Sequence, residues 1–308
     1  MSIGKYRHLS RCTNHDGQFV IVAIDHRANL REAIEKHSGA MDDLAFREFK
    51  LQVVEAAAPL VTAVLADPAF GLGAIVAGRR FSGGLLSPLE VTDYGIHPSQ
   101  RELNWIPHWG VEKVKRMGGD GIKLLLPFHP QLASAEAKKR LVEQVVQECE
   151  KHDIPLYLEP IACAPTPEQK LTPQEQREIT VEMAQLFSAM GVDVLKLQIP
   201  AEAGEWEATC RDLGKVCSVP WALLSGGVDF ESYCRQAERA CFHGASGVIA
   251  GRAVWSEACS LQGVERAEFL ERVVPQRLRK LQDVCAGAAP FWNNLKEPDP
   301  ALDWYESY

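Results

Sequence analysis

The sequence predicts an α/β fold, a (β/α)8 TIM barrel that forms a single domain. Short apolar, β-branched segments alternate with longer amphipathic helical segments along the chain, and repeated units of this kind build a parallel sheet. Eight strand candidates are present, the number that closes such a sheet into a barrel. The 308 residues also suffice for one barrel of roughly 250 residues with additional segments.

The strand candidates are mostly apolar segments that end at glycine, proline or a polar turn. In chain order they are 19–24, 63–65, 84–86, 121–126, 156–159, 192–199, 221–224 and 247–250. Amphipathic segments follow most of them, and several of these have recognisable helix ends. Thr172 and Glu175 form a capping box around a proline, Gly191 ends that helix, and Ser134 and Asp229 begin two others.

We assign residues 1–285 to the barrel and 286–308 to a C-terminal tail rich in aromatic and acidic residues. The simpler interpretation is that the tail packs on the barrel. The alternative is a contact with a neighbouring subunit, which would make the protein a homo-oligomer.

Charge and composition narrow the class of partner. The formal net charge is -8, which argues against nucleic acid or an anionic membrane as the main partner. No run of about 18 apolar residues and no signal sequence is present. The nine cysteines are scattered without a C-x-x-C pair, a pattern typical of reduced thiols in a cytoplasmic protein.

Charged residues interrupt the apolar strands, and strand alternation predicts where they point. In segment 192–199, Lys196 shares a face with Val194 and Gln198, whereas Leu195 and Leu197 lie on the opposite face. Lys196 should therefore point into the barrel. Burying an unpaired ammonium costs several kcal/mol, and a buried neutral amine is a nucleophile suited to Schiff-base chemistry.

The search for charged residues that interrupt apolar strands also selects Lys123, Glu159 and Asp25, which lie within or at the C-terminal ends of candidate strands. Barrel enzymes place their chemistry at those ends. Each residue alone could form a structural ion pair. Two lysines and two acids in one cavity are costly to assemble for stability alone, so we interpret them as a catalytic site.

The last two strand candidates end in sequences that suit an anion. Ser225 and Gly226 follow one strand, and Gly251 and Arg252 follow the next. Glycine lets backbone N–H groups approach a phosphate closely, an arginine supplies a charged fork, and these two positions form the phosphate site of many barrels. The alternative interpretation is ordinary turn chemistry.

Metal-binding spacing is missing from the sequence. The nine histidines show no H-x-H, H-x-x-H or H-E-x-x-H pattern. We therefore expect no metal and no other cofactor, although distant ligands could still converge.

With these motifs in place, the chain resembles the tagatose 1,6-bisphosphate aldolase family, including its sulfofructosephosphate aldolase branch. The resemblance is carried by segments 23–27, 121–125, 158–160, 193–200, 224–228, 244–247 and 251–255. They follow the barrel from end to end in order, and they are specific together rather than singly.

The resemblance implies a class I aldolase, which cleaves a phosphorylated ketose reversibly to dihydroxyacetone phosphate and an aldehyde. By position, Lys196 matches the Schiff-base lysine, Glu159 the proton-transferring acid and Lys123 a second active-site lysine, and Asp25 matches an acid that ends the first strand. Ser225, Gly226, Gly251 and Arg252 match the phosphate site for dihydroxyacetone phosphate.

Two departures bear on the substrate. His26, followed by Arg27, stands where the family commonly has glutamine, which puts the accepted aldehyde half in question. Gln198 stands where the family often has glutamate. One alternative is therefore a sulfofructosephosphate aldolase that releases sulfolactaldehyde. Alternatives of other classes are a non-catalytic barrel that senses sugar phosphates and a metal-dependent barrel lyase or isomerase.

Overall fold

The structure, a computed structural model, describes residues 1–295, 297–306 and 308. Eight parallel strands close into a barrel in which each pairs with the next along the chain and the last pairs with the first. The strands are β1 (Phe19–Ile24), β2 (Ala63–Ala66), β3 (Gly84–Pro88), β4 (Gly121–Phe128), β5 (Leu156–Ala162), β6 (Val194–Leu197), β7 (Trp221–Leu224) and β8 (Gly247–Ala250). The predicted (β/α)8 fold is confirmed.

Helices connect the strands and surround the barrel. They are α1 (Ile3–Arg11), α2 (Ala28–Ser38), α3 (Asp43–Ala57), α4 (Gly73–Ala77), α5 (Val111–Met117), α6 (Ala135–Lys151), α7 (Pro173–Ser188), α8 (Ala203–Val216), α9 (Phe230–Phe242), α10 (Arg252–Trp255), α11 (Gly263–Glu268) and α12 (Val274–Cys285). The predicted capping box of Thr172 and Glu175 begins α7, and the Asp229 carboxylate caps α9. Ser134 precedes α6 without a side-chain cap. Within the described residues, no helix is both long and apolar enough to cross a bilayer.

Strand alternation divides the apolar core into two layers. Phe19, Ile21 and Ala23 of β1 belong to a cluster inside the barrel, together with Tyr157 of β5 and Val194 of β6. The alternate strand residues belong to a larger cluster between the strands and the surrounding helices. Residues with the parity of Val194, which include Lys196, therefore face the barrel interior.

The N-terminal end of the barrel is closed by α1. The Nζ atom of Lys5 lies 3.0 Å from the Asp193 carboxylate at the start of β6. His8 and Arg11 both contact Asp120, at 3.0 and 2.9 Å, next to the start of β4. These contacts leave the opposite, C-terminal end of the strands as the open end.

The first part of the predicted tail lies at the same closed end. The fully buried Phe291 has its ring centroid 5.3 Å from that of Tyr6 and 6.2 Å from that of Phe19. The tail prediction, 286–308, includes Lys296 and Ser307, which lie outside the described residues. The division into barrel and tail stays a prediction.

Several strands differ in length from the sequence prediction. Strand β3 runs to Pro88, and β4 and β5 extend to Phe128 and Ala162, because parallel partners continue their hydrogen-bonded ladders. Strand β6 is shorter, Val194–Leu197. A short antiparallel ribbon between Glu90–Val91 and Asn104–Trp105 follows β3, and it lies beside the open end of the barrel.

Candidate active site

Four charged residues selected from the sequence meet at the open end of the barrel. The Nζ atom of Lys196 lies 2.9 Å from Oε2 of Glu159, and the same oxygen lies 3.1 Å from Nζ of Lys123. Lys123 also contacts Oδ2 of Asp25 at 3.1 Å. The two lysines and Glu159 are less than 8% exposed. One carboxylate oxygen therefore links the two amines.

A fifth charged residue belongs to this cluster and was missed by the sequence analysis. Oε1 of Glu90 lies 2.8 Å from Nζ of Lys123, and the side chain is buried. The residue lies two positions after β3 ends. The search for acids at strand ends would have found Glu90 had this strand not been predicted to end at residue 86.

Burial and ion pairing act in opposite directions on these groups. Burial alone would lower the pKa of Lys123, but the carboxylates of Asp25, Glu159 and Glu90 raise it well above its usual value. Burial raises the pKa values of Asp25 and Glu159, yet the charges of Lys123 and Lys196 and the hydrogen bonds from these lysines together outweigh it, so that both pKa values lie below their usual values. Lys123 is therefore charged and both carboxyls are ionised at neutral pH.

A pocket opens over the cluster at the C-terminal ends of the strands. Its lining contains the five charged side chains already described and a rim of further residues: His26, Arg27, Ala28, Asn29, Thr92, Tyr94 and Leu125. The guanidinium Nη2 atom of Arg27 donates to the Glu90 carbonyl at 2.5 Å. The structure thus brings His26 and Arg27 to the same pocket as Lys196.

The imidazole of His26 is held between charged and aromatic neighbours. Its ring packs edge-on to Trp255 at 5.4 Å between centroids, and its Nδ1 atom lies 3.8 Å from Oδ1 of Asp25. Burial lowers the pKa of His26 to about 4, helped by the charges of Arg252 and Lys196 and opposed by Asp25. His26 is therefore neutral at physiological pH.

The predicted anion-binding residues lie together at the ends of β7 and β8. The Gly251 N–H points to Oγ of Ser225 at 3.4 Å. Gly226 and Gly227 have φ angles of 57° and 86°, in the left-handed region that favours glycine. A Cβ on Gly227 would lie 3.2 Å from the guanidinium carbon of Arg252, so the absence of a side chain there makes room for the arginine.

These residues adjoin the central pocket rather than line it. Arg252 is exposed and lines a neighbouring cleft that also includes His26, Asn29 and Trp255. The His26 ring would lie 3.4 Å from a Cβ on Gly251, so it separates the two spaces. Gln198 follows the end of β6, and its amide lies against Gly226.

Potential metal ligands do not cluster in the described part of the chain. No group of three or more histidine, cysteine, aspartate or glutamate side chains there is arranged to hold a metal ion. The side chains that line the pocket at the open end carry amines, carboxyls, an imidazole, a guanidinium, an amide and hydroxyls.

The fold and the site define a barrel enzyme with a buried cluster of lysine and carboxyl side chains at the C-terminal ends of parallel strands. Residues 19–257 match the model of a family described as DeoC/LacD family aldolase. The chain belongs to this family, and the protein is an aldolase.

Two relatives illustrate the similarity over nearly the whole chain. The chain is 29% identical to the tagatose 1,6-diphosphate aldolase of Listeria monocytogenes serotype 4b (strain CLIP80459), over 94% of each chain. It is 27% identical to the tagatose 1,6-diphosphate aldolase of Staphylococcus aureus (strain JH9), over 95% of this chain and 98% of the relative.

Solved structures share the barrel at lower sequence identity. An archaeal fructose 1,6-bisphosphate aldolase matches with a TM-score of 0.63 and 17% identity, over 92% of this chain and 100% of that one. A Schiff base forming fructose-1,6-bisphosphate aldolase matches with a TM-score of 0.63 and 16% identity, over 91% and 99% of the two chains. These likenesses support the barrel fold.

Proposed function

We propose that this aldolase is a class I enzyme that cleaves a phosphorylated ketose through a Schiff base on Lys196. The observation that carries the proposal is the contact between the Lys196 amine and Glu159, 2.9 Å long and buried at the open end of the barrel. A lysine amine beside a carboxylate has both a nucleophile and a place for its proton.

The first step forms the covalent bond between enzyme and substrate. Lys196 loses a proton to Glu159, and the neutral amine attacks the ketone carbon to give a carbinolamine. Glu159 returns a proton to the departing hydroxyl, so that water leaves and an iminium ion remains. The Lys123 ammonium, 3.1 Å from the same Glu159 oxygen, stabilises the carboxylate form of Glu159 before it accepts the proton and after it returns it.

The second step breaks the bond between C3 and C4 of the ketose. A base removes the C4 hydroxyl proton, the aldehyde departs, and the electron pair of the bond moves into the iminium to give an enamine. Glu159 is our candidate for this base, and Asp25 orients Lys123 beside it. Protonation of the enamine at C3 and hydrolysis then release dihydroxyacetone phosphate and the free amine.

Binding of the substrate's phosphate would orient the reacting bond. We assign the phosphate of the dihydroxyacetone half to Ser225, Gly226, Gly251 and Arg252, which lie together at the ends of β7 and β8. His26 and Arg27 lie on the rim of the pocket, and we assign them to the aldehyde half. Energy from such remote contacts holds the ketone carbon at the amine.

Tagatose 1,6-bisphosphate or fructose 1,6-bisphosphate is the substrate we propose first, because the relatives are named tagatose 1,6-diphosphate aldolases. The alternative is 6-deoxy-6-sulfofructose 1-phosphate. Steady-state kcat/KM values on the three compounds distinguish these substrates. We also propose a cytoplasmic location, which the nine buried cysteines without disulfide partners support. Assembly into a homo-oligomer stays a prediction.

Borohydride trapping tests the chemistry. Reduction in the presence of dihydroxyacetone phosphate should add a stable mass to the peptide that contains Lys196, and Lys196→Ala should abolish both the adduct and cleavage. Lys215→Ala, which changes an exposed lysine on α8, is the matched control and should behave as the unaltered protein. Full activity in Lys196→Ala, or an adduct elsewhere, would contradict the proposal.

A further inference from the structure

Glu90 differs from the other carboxyls in the cluster. It is 2% exposed, and its Oε1 atom accepts from Lys123 at 2.8 Å. Its Oε2 atom is buried and has no hydrogen-bond partner among the described residues, although Glu90 lines the central pocket. A buried carboxyl oxygen without a partner is costly, and here it belongs to a side chain that lines the pocket proposed for the substrate.

The charge balance of the cluster explains how Glu90 can be buried in this way. Lys123 contacts three carboxyls, those of Asp25, Glu90 and Glu159. The charged or titratable side chains that line the pocket together with Glu90 are those of Asp25, His26, Arg27, Tyr94, Lys123, Glu159 and Lys196. Two lysines, Lys123 and Lys196, contact the three carboxyls, so one carboxylate would have no ammonium of its own in a site of low dielectric, which is unfavourable.

Binding one proton relieves this excess of negative charge, and Glu90 is the carboxyl best placed to hold it. Oε2 of Glu159 already accepts from Lys196 and lies 3.1 Å from the Lys123 ammonium, and Asp25 is more exposed, with 11% of its side chain accessible. Burial raises the pKa of Glu90 despite the neighbouring Lys123 ammonium, whereas the pKa values of Asp25 and Glu159 are lowered. The direction of these shifts agrees with the geometry.

We propose that Glu90 is a further substrate-binding residue, which acts as a neutral carboxylic acid: Oε1 holds Lys123, and the Oε2 hydroxyl donates a hydrogen bond to an oxygen of the bound ketose. Glu90 keeps its proton throughout the reaction. This inference rests on the proposed aldolase site only for the identity of the bound molecule. The protonation of Glu90 is a property of the free protein.

The substitution Glu90→Gln distinguishes a neutral acid from a carboxylate. A glutamine places an amide oxygen toward Lys123 and an N–H donor toward the substrate, so it reproduces the neutral acid but not the anion. We expect kcat/KM of Glu90→Gln to stay within about tenfold of the unaltered protein, and that of Glu90→Ala to fall about 10- to 100-fold below Glu90→Gln as one hydrogen bond is lost. Glu112→Gln, at an exposed position of α5, is the matched control.

Infrared difference spectroscopy tests the proton without any substrate. The unaltered protein at neutral pH should show the carbonyl stretching band of a protonated carboxylic acid, shifted in D2O and absent from Glu90→Gln. Absence of this band, or a loss of kcat/KM in Glu90→Gln as large as in Glu90→Ala, overturns the inference. Failure of the Schiff-base proposal would instead appear as absent borohydride trapping at Lys196 with the Glu90 band intact.

Discussion

Replacing Lys123 by methionine should destabilise the protein in a way that depends on pH. The ammonium lies 2.8 to 3.1 Å from three buried or nearly buried carboxyls. Removal of one partner from a buried ion pair costs about 3–5 kcal/mol. We expect a loss of this size at about pH 7.5, where Asp25 and Glu159 would otherwise be ionised. A domain with about 5–15 kcal/mol of stability can lose this amount and still fold.

The same variant should lose less stability at about pH 5, because its carboxyls can bind protons. In the unaltered protein the pKa values of Asp25 and Glu159 are lowered. The two ionised carboxylates therefore stabilise the folded protein fully above their unfolded-chain pKa values of about 4, and this stabilisation is lost only as the pH falls through their lower folded-state pKa values. Without Lys123, burial dominates and raises both pKa values, so lowering the pH from about 7.5 to 5 stabilises Lys123→Met relative to the unaltered protein.

Urea unfolding followed by tryptophan fluorescence at both pH values measures these free energies. Lys139→Met, which removes an ammonium that pairs with Glu136 on the surface, is the control and should change the free energy of unfolding far less at either pH. A loss below about 1 kcal/mol in Lys123→Met, or the same loss at both pH values, would refute the account of the cluster.

Two further predictions concern the rim of the site. The pKa of His26 is lowered to about 4, so as the pH falls the unfolded chain protonates His26 before the folded protein does, and the free energy of unfolding should fall by up to about 3 kcal/mol between pH 6.5 and pH 4. Urea unfolding over this pH range should show a smaller decrease in His26→Gln. An equal decrease in the variant and the unaltered protein would contradict the argument that burial lowers this pKa. Gly227→Ala should raise KM for the bisphosphate about tenfold with little change in kcat, because the methyl group would crowd Arg252. The control for Gly227→Ala is Gly244→Ala, since Gly244 also has a positive φ but has open space around it. Equal KM values in the two variants would argue against the anion site.

Alternation along the strands accounts for what could be predicted of the site. Lys196, Lys123, Glu159 and Asp25 were recognised because each breaks an apolar strand on its inward face, and closure of the barrel brings parallel strand ends together. Residues beyond a strand end were harder to place. Glu90 lies in the ribbon after β3, and Gln198 follows the end of β6, where a period of two no longer fixes the direction of a side chain.

The closed end of the barrel could not be predicted from local patterns. Lys5 pairs with Asp193, 188 residues away, and His8 pairs with Asp120, 112 residues away. Nothing in the segment 3–11 by itself identifies these partners. The helix is short and polar in places, and its position follows from the assembled barrel rather than from its own sequence.

These contacts at the closed end have a consequence for the order of folding. The helix α1 leaves the ribosome well before its partners Asp120, Asp193 and Phe291, which are synthesised much later. Contacts between residues so far apart in the chain form slowly, because loop closure must precede them. We therefore expect α1 to remain undocked during synthesis and to pack on the barrel late. Until then the N-terminal ends of the strands stay exposed.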